Sequence, residues 1–264
     1  MLELKNVCVP VSERTGTAAG KADGEGGQAN MAADGPEIIS DVSLTLHEKK
    51  IYVVTGPNGG GKTTLAKAIM GIYPVSCGSI LLDGEDITGK TITERAKLGI
   101  GYAFQSPARF KGLRVRDFLS IAAADSSDKN LYSLLVDVGL CAQDYIDREL
   151  NAAFSGGELK RVEIASILAR DLRVAVFDEP EAGIDLWSFQ RLTETFRNLN
   201  EMTDTTIVII SHQERILRLA DEVILIAGGK VTEITSPDKL LCDIDCKDVD
   251  CYCCNCAEKE VQVC

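Results

Sequence analysis

Several residues of this 264-residue chain have the types and spacing needed to work on phosphate. Gly56-Pro57-Asn58-Gly59-Gly60-Gly61-Lys62-Thr63-Thr64 follows the spacing glycine, any four, glycine, lysine, threonine. Glycines let the backbone wrap closely and aim several N–H groups at one anion. A helix starting at the end of such a loop adds its own free N–H groups and the positive end of its dipole. Lys62 is then placed to reach terminal phosphates, and the Thr63 hydroxyl to join a Mg²⁺ shell. A plain glycine-rich turn before an ordinary helix would look similar, so context decides. Ile51-Tyr52-Val53-Val54-Thr55 reads as a buried strand just before the loop, and Leu65 to Met70 as a helix just after it, ending at Gly71.

Four further residues carry groups suited to the same ligand. Asp178 can hold Mg²⁺ directly or through water, and Glu179 beside it can polarise a water aimed at the terminal phosphorus. Gln105 and His212 each follow an apolar run, and with the other groups in place His212 reads as a γ-phosphate residue rather than a structural histidine. Ser155-Gly156-Gly157-Glu158 has two readings. Ser155 with Glu158 three residues on is a capping box, and the same segment at a helix start is a second phosphate-binding site. Two phosphate sites in one chain imply that two copies sandwich the nucleotides.

The elements that must position these residues can be read from periodicity. Leu2 to Lys5 alternates and continues through Val7 and Val9, and Asp41 to Leu46 alternates again, so the two read as a hairpin. Residues 12–36 are rich in glycine and alanine, with Met31 the one large apolar side chain, and read as a long flexible insertion at the hairpin tip. Gly78 to Gly84 is a short strand closed by an Asp-Gly turn. Ile92–Leu98 is a helix and Ile100–Phe104 a strand ending at Gln105. Val115–Ala124 and Leu131–Leu140 have helical period, which marks a helical insertion. Beyond the capping box come strand Val174–Phe177, helix Leu186–Leu199, strand Thr206–Ile210, helix Ile216–Ala220 and strands Val223–Ala227 and Lys230–Ile234. Apolar strands alternating with helices make a mostly parallel sheet with ligands at its strand C-terminal ends.

Bulk composition removes other classes. The net charge is -12 and the pI about 4.7, which argues against a general nucleic-acid binder and against adsorption to anionic membranes. No run of apolar residues is long enough to span a bilayer, and Met1-Leu2-Glu3-Leu4-Lys5 lacks a signal pattern. The expected location is the cytoplasm.

The ordered set Gly56–Thr64, Gln105, Phe154–Glu158, Val174–Glu179, Ala182-Gly183-Ile184-Asp185 and His212 resembles the ATP-binding-cassette (ABC) ATPases across residues 1–236. The resemblance implies an α/β P-loop NTPase core with a mostly parallel sheet, a small antiparallel β subdomain and an inserted helical subdomain at 107–170. It implies hydrolysis of ATP to ADP and phosphate by a head-to-tail homodimer that ATP brings together. Each ATP would lie between the phosphate loop of one subunit and Ser155 to Glu158 of the other. Carried over, Lys62 and the loop amides hold phosphates, Thr63, Gln105 and Asp178 serve Mg²⁺, Glu179 is the general base, His212 the switch residue, and Asp185 bridges subunits.

Within the family, Ser155-Gly156-Gly157-Glu158-Leu159-Lys160-Arg161-Val162-Glu163-Ile164, Glu179-Pro180-Glu181-Ala182-Gly183-Ile184-Asp185-Leu186 and His212-Gln213-Glu214-Arg215-Ile216-Leu217 resemble SufC, an iron–sulfur cluster assembly ATPase. Glu163 weighs most, because transporter ATPases usually carry a small apolar residue there. That resemblance implies a SufB/SufD-like scaffold as partner and ATP-driven shape change in it. The alternative is the ATPase subunit of a membrane ABC transporter, with a permease docking beside Gln105. One departure stands out. These ATPases commonly stack adenine on an aromatic from the first hairpin, and this chain has no Phe, Tyr or Trp before Tyr52, which leaves the base an aliphatic such as Val11.

Cysteine usage is uneven. Of ten cysteines, Cys8, Cys77 and Cys141 are scattered, whereas Cys242, Cys246, Cys251, Cys253, Cys254, Cys256 and Cys264 crowd an acidic segment from 237 to 264. In a cytoplasmic chain such a cluster points to metal or redox chemistry more than to a disulfide staple. The thiolates suit Zn²⁺, Cu(I) or an iron–sulfur cluster. Incidental thiols on a disordered tail, or a redox-sensitive tail, are the competing readings.

Overall fold

A computed structural model describes residues 1–11, 37–151 and 153–248. The insertion at 12–36 and most of the cysteine cluster, from Cys251 onward, lie outside the described residues, as do the expectations placed on them. Strand β1 (Leu2–Pro10) pairs antiparallel with β2 (Glu37–Leu46), with Leu2 opposite Leu46 and Leu4 opposite Leu44. The hairpin is as the alternation predicts, and β2 begins four residues earlier than the sequence indicates.

Strand β3 (Ile51–Thr55) is buried along its whole length. Its even and odd residues face two different cores. Tyr52 and Val54 join Leu2, Leu4, Leu65 and Ile80, while Ile51 and Val53 join Phe177, Leu192 and Phe196. Burial on both faces is the reason the strand reads as a continuous apolar run. Helix α1 (Lys62–Met70) follows and ends at Gly71, whose left-handed backbone closes it. The Arg95 guanidinium, on helix α2 (Ile92–Lys97), is buried beside that end and donates to the Ala68 carbonyl at 2.7 Å and to the Ile69 carbonyl at 2.8 Å. Both carbonyls lie in the last turn, where a helix runs out of N–H donors, so the cation supplements the Gly71 N–H on Ala68 and complements the dipole.

The small sheet continues through β4 (Cys77–Leu82) and β5 (Glu85–Asp86), in the order β2-β1-β4-β5. The central sheet contains β6 (Ile100–Ala103), β7 (Val174–Asp178), β8 (Thr206–Ile210), β9 (Glu222–Ala227) and β10 (Lys230–Thr235) together with β3. Its order is β10-β9-β3-β8-β7-β6, parallel except for the β9–β10 hairpin. This is the α/β class expected, with a mostly parallel sheet and a small antiparallel one.

Helices α3 (Val115–Ala122), α4 (Asp128–Asp137), α5 (Ala142–Tyr145) and α6 (Gly156–Leu168) come between β6 and β7. Helix α7 (Leu186–Met202) precedes β8, and α8 (Glu214–Leu217) follows it. Two features differ from the sequence expectation. A helix, α9 (Pro237–Asp248), begins the acidic segment; its anchor is Leu240, buried against the main core, and the surrounding acidic residues hide that signal. Cys8 and Cys77, read as scattered thiols, are joined in a disulfide. They are far apart in sequence, and only the β1–β4 register sets them opposite each other.

Candidate active site

Residues 56–61 link the C-terminal end of β3 to the start of α1. Gly56 has φ 135°, and a side chain there would meet the Ile226 carbonyl oxygen at 2.1 Å, so β9 forces glycine at the first loop position. Lys62 is buried, and its ammonium donates to the Gly56 carbonyl at 2.7 Å and the Pro57 carbonyl at 2.9 Å. Burial lowers its pKa, while the charges of Glu179 and Asp178 oppose that shift. The cation is thus held over its own loop by two neutral acceptors.

Asp178 closes β7 and is 1% exposed. Its Oδ1 accepts from the Thr63 hydroxyl at 3.1 Å, and its Oδ2 from the Tyr102 hydroxyl at 2.9 Å. Burial raises the carboxyl pKa, and the two donors pull it back. The Tyr102 phenol is itself pushed well up by burial and by the Asp178 charge, so it stays a donor. Thr63 and Asp178 are already in contact. With the Gln105 side-chain oxygen they offer hard oxygen donors, a set that fits Mg²⁺.

Glu179 has φ 45°, a left-handed conformation that costs a non-glycine residue about 1–3 kcal/mol. Its N–H donates to the Ile210 carbonyl at 3.0 Å, which ties it to the end of β8. Its Oε2 accepts from the Gln105 side-chain amide at 2.6 Å. His212, two residues past the end of β8, has Nδ1 at 3.3 Å from the Thr55 hydroxyl. Burial, then the nearby Lys62 charge, lowers its pKa, so the ring is neutral at physiological pH. Adjacent parallel strands β3, β8, β7 and β6 therefore deliver the loop, His212, Asp178-Glu179 and Gln105 to one edge of the sheet.

Ser155 to Glu158 form a separate cluster. The Ser155 hydroxyl accepts from the Glu158 N–H at 3.2 Å and the Glu158 carboxylate accepts from the Ser155 N–H at 2.7 Å, so the capping box is present. The Tyr145 hydroxyl also donates to Glu158. Gly157 lies against the Gly183 carbonyl, with no space for a side chain between them. Asp185, next along, accepts from the Ser188 N–H at 3.0 Å.

Residues that sequence reasoning did not place in the site hold these pieces together. The Lys160 ammonium, almost fully buried, donates to the Phe104 carbonyl and, at 2.9 Å, to the Asp178 carbonyl. Those carbonyls directly precede Gln105 and Glu179. Glu163, one turn later on α6, accepts the Phe104 N–H at 3.1 Å and lies 3.8 Å from the Lys160 ammonium. Burial pushes its carboxyl up to about 7. Glu181 is half-buried, accepts from the Ser211 hydroxyl at 2.5 Å, and has its pKa raised by burial. The only sequence signal for Lys160 and Glu163 was their charge among the apolar residues of α6, and it did not mark them as supports. Tyr102 carried no such signal, being one more apolar-facing strand residue. Above Glu163 is a cavity of about 220 Å³ lined by Phe104, Pro107, Phe110, Phe118 and Val162.

The family model described as ABC transporter matches residues 39–182. An uncharacterized ABC transporter ATP-binding protein of Methanocaldococcus jannaschii is 38% identical over 213 residues, 77% of this chain and 85% of its own length. The chain belongs to the ABC ATPase family. As an ABC ATPase it binds and hydrolyses ATP. Another relative of this ATPase, the probable ATP-dependent transporter ycf16 of Cyanidium caldarium, is 31% identical over 213 residues, 75% of this chain and 84% of its own length. Two solved structures share the cassette fold. One is a dimeric ATP-binding cassette in a post-hydrolysis state with ADP and Pi, with TM-score 0.74 at 21% identity over 90% of this chain and 99% of that one. The other is a bacterial ABC exporter with ATP bound, with TM-score 0.75 at 21% identity over 92% of this chain and 40% of that one. No helix among the described residues of the ATPase is long and apolar enough to cross a membrane.

Proposed function

We propose that this ABC ATPase drives conformational change in a SufB/SufD-like scaffold during iron–sulfur cluster assembly. The observation that carries the reading is Glu163. A carboxyl group sits under the Phe104–Phe110 cavity, where transporter ATPases usually have a small apolar residue, and it is bonded to the backbone beside Gln105. A partner element entering that cavity presses on the segment that holds Gln105.

The site residues take the following roles. Gly56 to Thr64 cradle the phosphates of ATP, and Lys62 transfers its ammonium from the Gly56 and Pro57 carbonyls to phosphate oxygens. Thr63, Asp178 and Gln105 hold Mg²⁺, which when bound neutralises phosphate charge. Glu179 accepts the proton of the attacking water. Neutral His212 donates to the γ-phosphate region, and its Nδ1 beside Thr55 fixes the ring. Ser155 to Glu158 caps the ATP of a second subunit across a head-to-tail dimer, with Asp185 at the subunit boundary. Residues 1–236 form the ATPase domain, with residues 107–170 as its helical subdomain. The cysteines from Cys242 through Cys256 hold Zn²⁺ or an iron–sulfur cluster. That last assignment fails if anaerobically purified protein carries no metal or sulfide above a form ending at residue 236.

A second reading, the ATPase subunit of a membrane transporter, is favoured by the names its relatives carry. Affinity purification of the tagged chain from its native host separates the two. A partner that stays in the membrane-free extract supports scaffold work, and one recovered only with detergent supports transport.

A further inference from the structure

Cys8 on β1, Cys77 at the start of β4 and Glu37 at the start of β2 meet at one end of the small sheet. Their sulfur and carboxylate oxygen atoms all lie within 4.8 Å of one another. Nothing in ATP hydrolysis uses them, and they lie apart in sequence from the Cys242–Cys264 cluster. We propose that, with both thiols reduced, Cys8, Cys77 and Glu37 bind a thiophilic divalent cation of the Zn²⁺ class.

The sheet builds this site. Register places Cys8 opposite Cys77 across the antiparallel β1–β4 pair, with Cα atoms 5.0 Å apart. The register shifts between Lys5 and Cys8. At that bulge Asn6 adopts φ 50°, and Gly78 approaches the Lys5 and Asn6 carbonyls too closely for any side chain. The Asn6 carbonyl oxygen lies 3.2 Å from the Cys77 sulfur and 3.8 Å from the Cys8 sulfur, an acceptor for either thiol when protonated. Glu37 enters from the other side of β1, and the Ser40 hydroxyl donates to its Oε2 at 2.6 Å, which orients it as an outer-shell partner orients a metal ligand.

Two thiolates and a carboxylate match the preference of Zn²⁺ for sulfur at about 2.3 Å and oxygen at about 2.0–2.2 Å, with one position left for water. Cys77 and Glu37 are exposed and Cys8 is buried, so that position faces solvent. Soft thiolates select against Mg²⁺, so the cation that serves ATP does not compete.

The disulfide in the structure is the oxidised form of the same pair, and the two states exclude each other. Two equivalents of a small thiol convert Cys8–S–S–Cys77 into two thiols and release the thiol's own disulfide. Metal binding then expels the two thiol protons. The consequence reaches the phosphate loop. Glu37 leads directly into Ile38 and Ile39, whose carbonyl and Cδ1 would touch a side chain at Gly61 at 3.2 Å and 2.6 Å. The Ser40 N–H donates to the Gly229 carbonyl at 2.9 Å, and the Gly229 N–H to the Gly60 carbonyl at 3.0 Å. A cation that draws Glu37 toward Cys8 and Cys77 therefore sets the strand backing Gly60 and Gly61.

The test uses full-length protein with the cysteines at 242, 246, 251, 253, 254, 256 and 264 changed to serine, reduced anaerobically with a phosphine and titrated with Co²⁺. The expected result is about one Co²⁺ per chain with intense tetrahedral d–d and thiolate charge-transfer bands, displaced by Zn²⁺. Cys8→Ser or Cys77→Ser abolishes the bands, Glu37→Gln weakens binding at least about tenfold, and oxidation with diamide releases the metal. Absence of thiolate–Co²⁺ bands, or bands that survive Cys8→Ser, overturns the proposal. Glu37 is exposed, so its variant reports even where a cysteine variant fails to fold; unchanged Co²⁺ affinity in Glu37→Gln also overturns the three-ligand site.

Discussion

The Gln105 amide donates to Glu179 Oε2 at 2.6 Å, so the ends of β6 and β7 are linked by side chains as well as by the strand ladder. The carboxylate assigned to activate water is held by a residue whose backbone neighbour, Phe104, is itself gripped by Lys160 and Glu163. Activity should therefore respond both to the carboxylate and to the residues that hold its holder.

Glu179→Gln keeps the hydrogen-bonding shape and removes the base. Turnover should fall about 10²–10⁴-fold while ATP binding persists. Steady-state phosphate release alongside fluorescent-nucleotide binding checks this, and near-normal turnover removes Glu179 from the base role.

Lys62→Ala deletes the ammonium now donating to the Gly56 and Pro57 carbonyls. Charge-assisted bonds are worth about 1.5–3 kcal/mol, so ATP affinity should drop roughly tenfold to a hundredfold. Calorimetric titration with ATP and Mg²⁺ measures it. Unaltered affinity would mean that the ammonium never leaves its loop.

Lys160→Met leaves the Phe104 and Asp178 carbonyls without their buried donor and Glu163 without its counter-charge. A loss of about 1–3 kcal/mol of stability is expected. The loss should be larger in alkaline than in mildly acidic buffer, because Glu163 can take up a proton in the latter. Urea unfolding at two pH values is the check, and equal losses at both refute the coupling.

Glu163 titrates near 7 in the folded chain, against 4.5 for a free glutamate. The folded state thus holds a proton that the unfolded chain has released. The stabilisation from this group is full below about 4.5 and is lost as pH rises through about 7. Glu163→Gln cannot titrate, so the wild-type melting temperature should fall relative to the variant between about pH 5 and about pH 8. Parallel curves would show that the carboxyl is not buried as described.

The loop glycines, Lys62, Asp178, Glu179 and His212 were legible in the sequence because each sits where an apolar run ends, and a parallel sheet collects such ends along one edge. The hairpin and the Ser155–Glu158 cap were legible for a similar reason, since a period of two and a three-residue spacing are local. The supports were not legible. Tyr102 is ordinary as a strand residue and matters only because β6 lies beside β7. Lys160 is a good surface helix former by composition, yet its ammonium is buried between two carbonyls that no spacing rule links. The Cys8–Cys77 pair depends on a bulge and a crossover between strands. Helix α9 was hidden by acidic residues around one anchoring leucine.

Helix α6 is capped by Ser155 and, roughly 8–12 Å further along its axis, grips both the N–H and the carbonyl of Phe104 through Glu163 and Lys160. A residue held at both its backbone N–H and its carbonyl cannot turn independently of the rod that holds it. In the proposed dimer, a nucleotide seated against Ser155 belongs to the opposite subunit, while Gln105 attends the nucleotide of its own. One rigid rod then connects two separate reaction centres, and a tilt that closes one centre shifts the glutamine of the other. Whether two nucleotides are spent together or by turns becomes a property of how stiffly α6 is clamped to Phe104, a mechanical quantity set by two side chains of the rod itself.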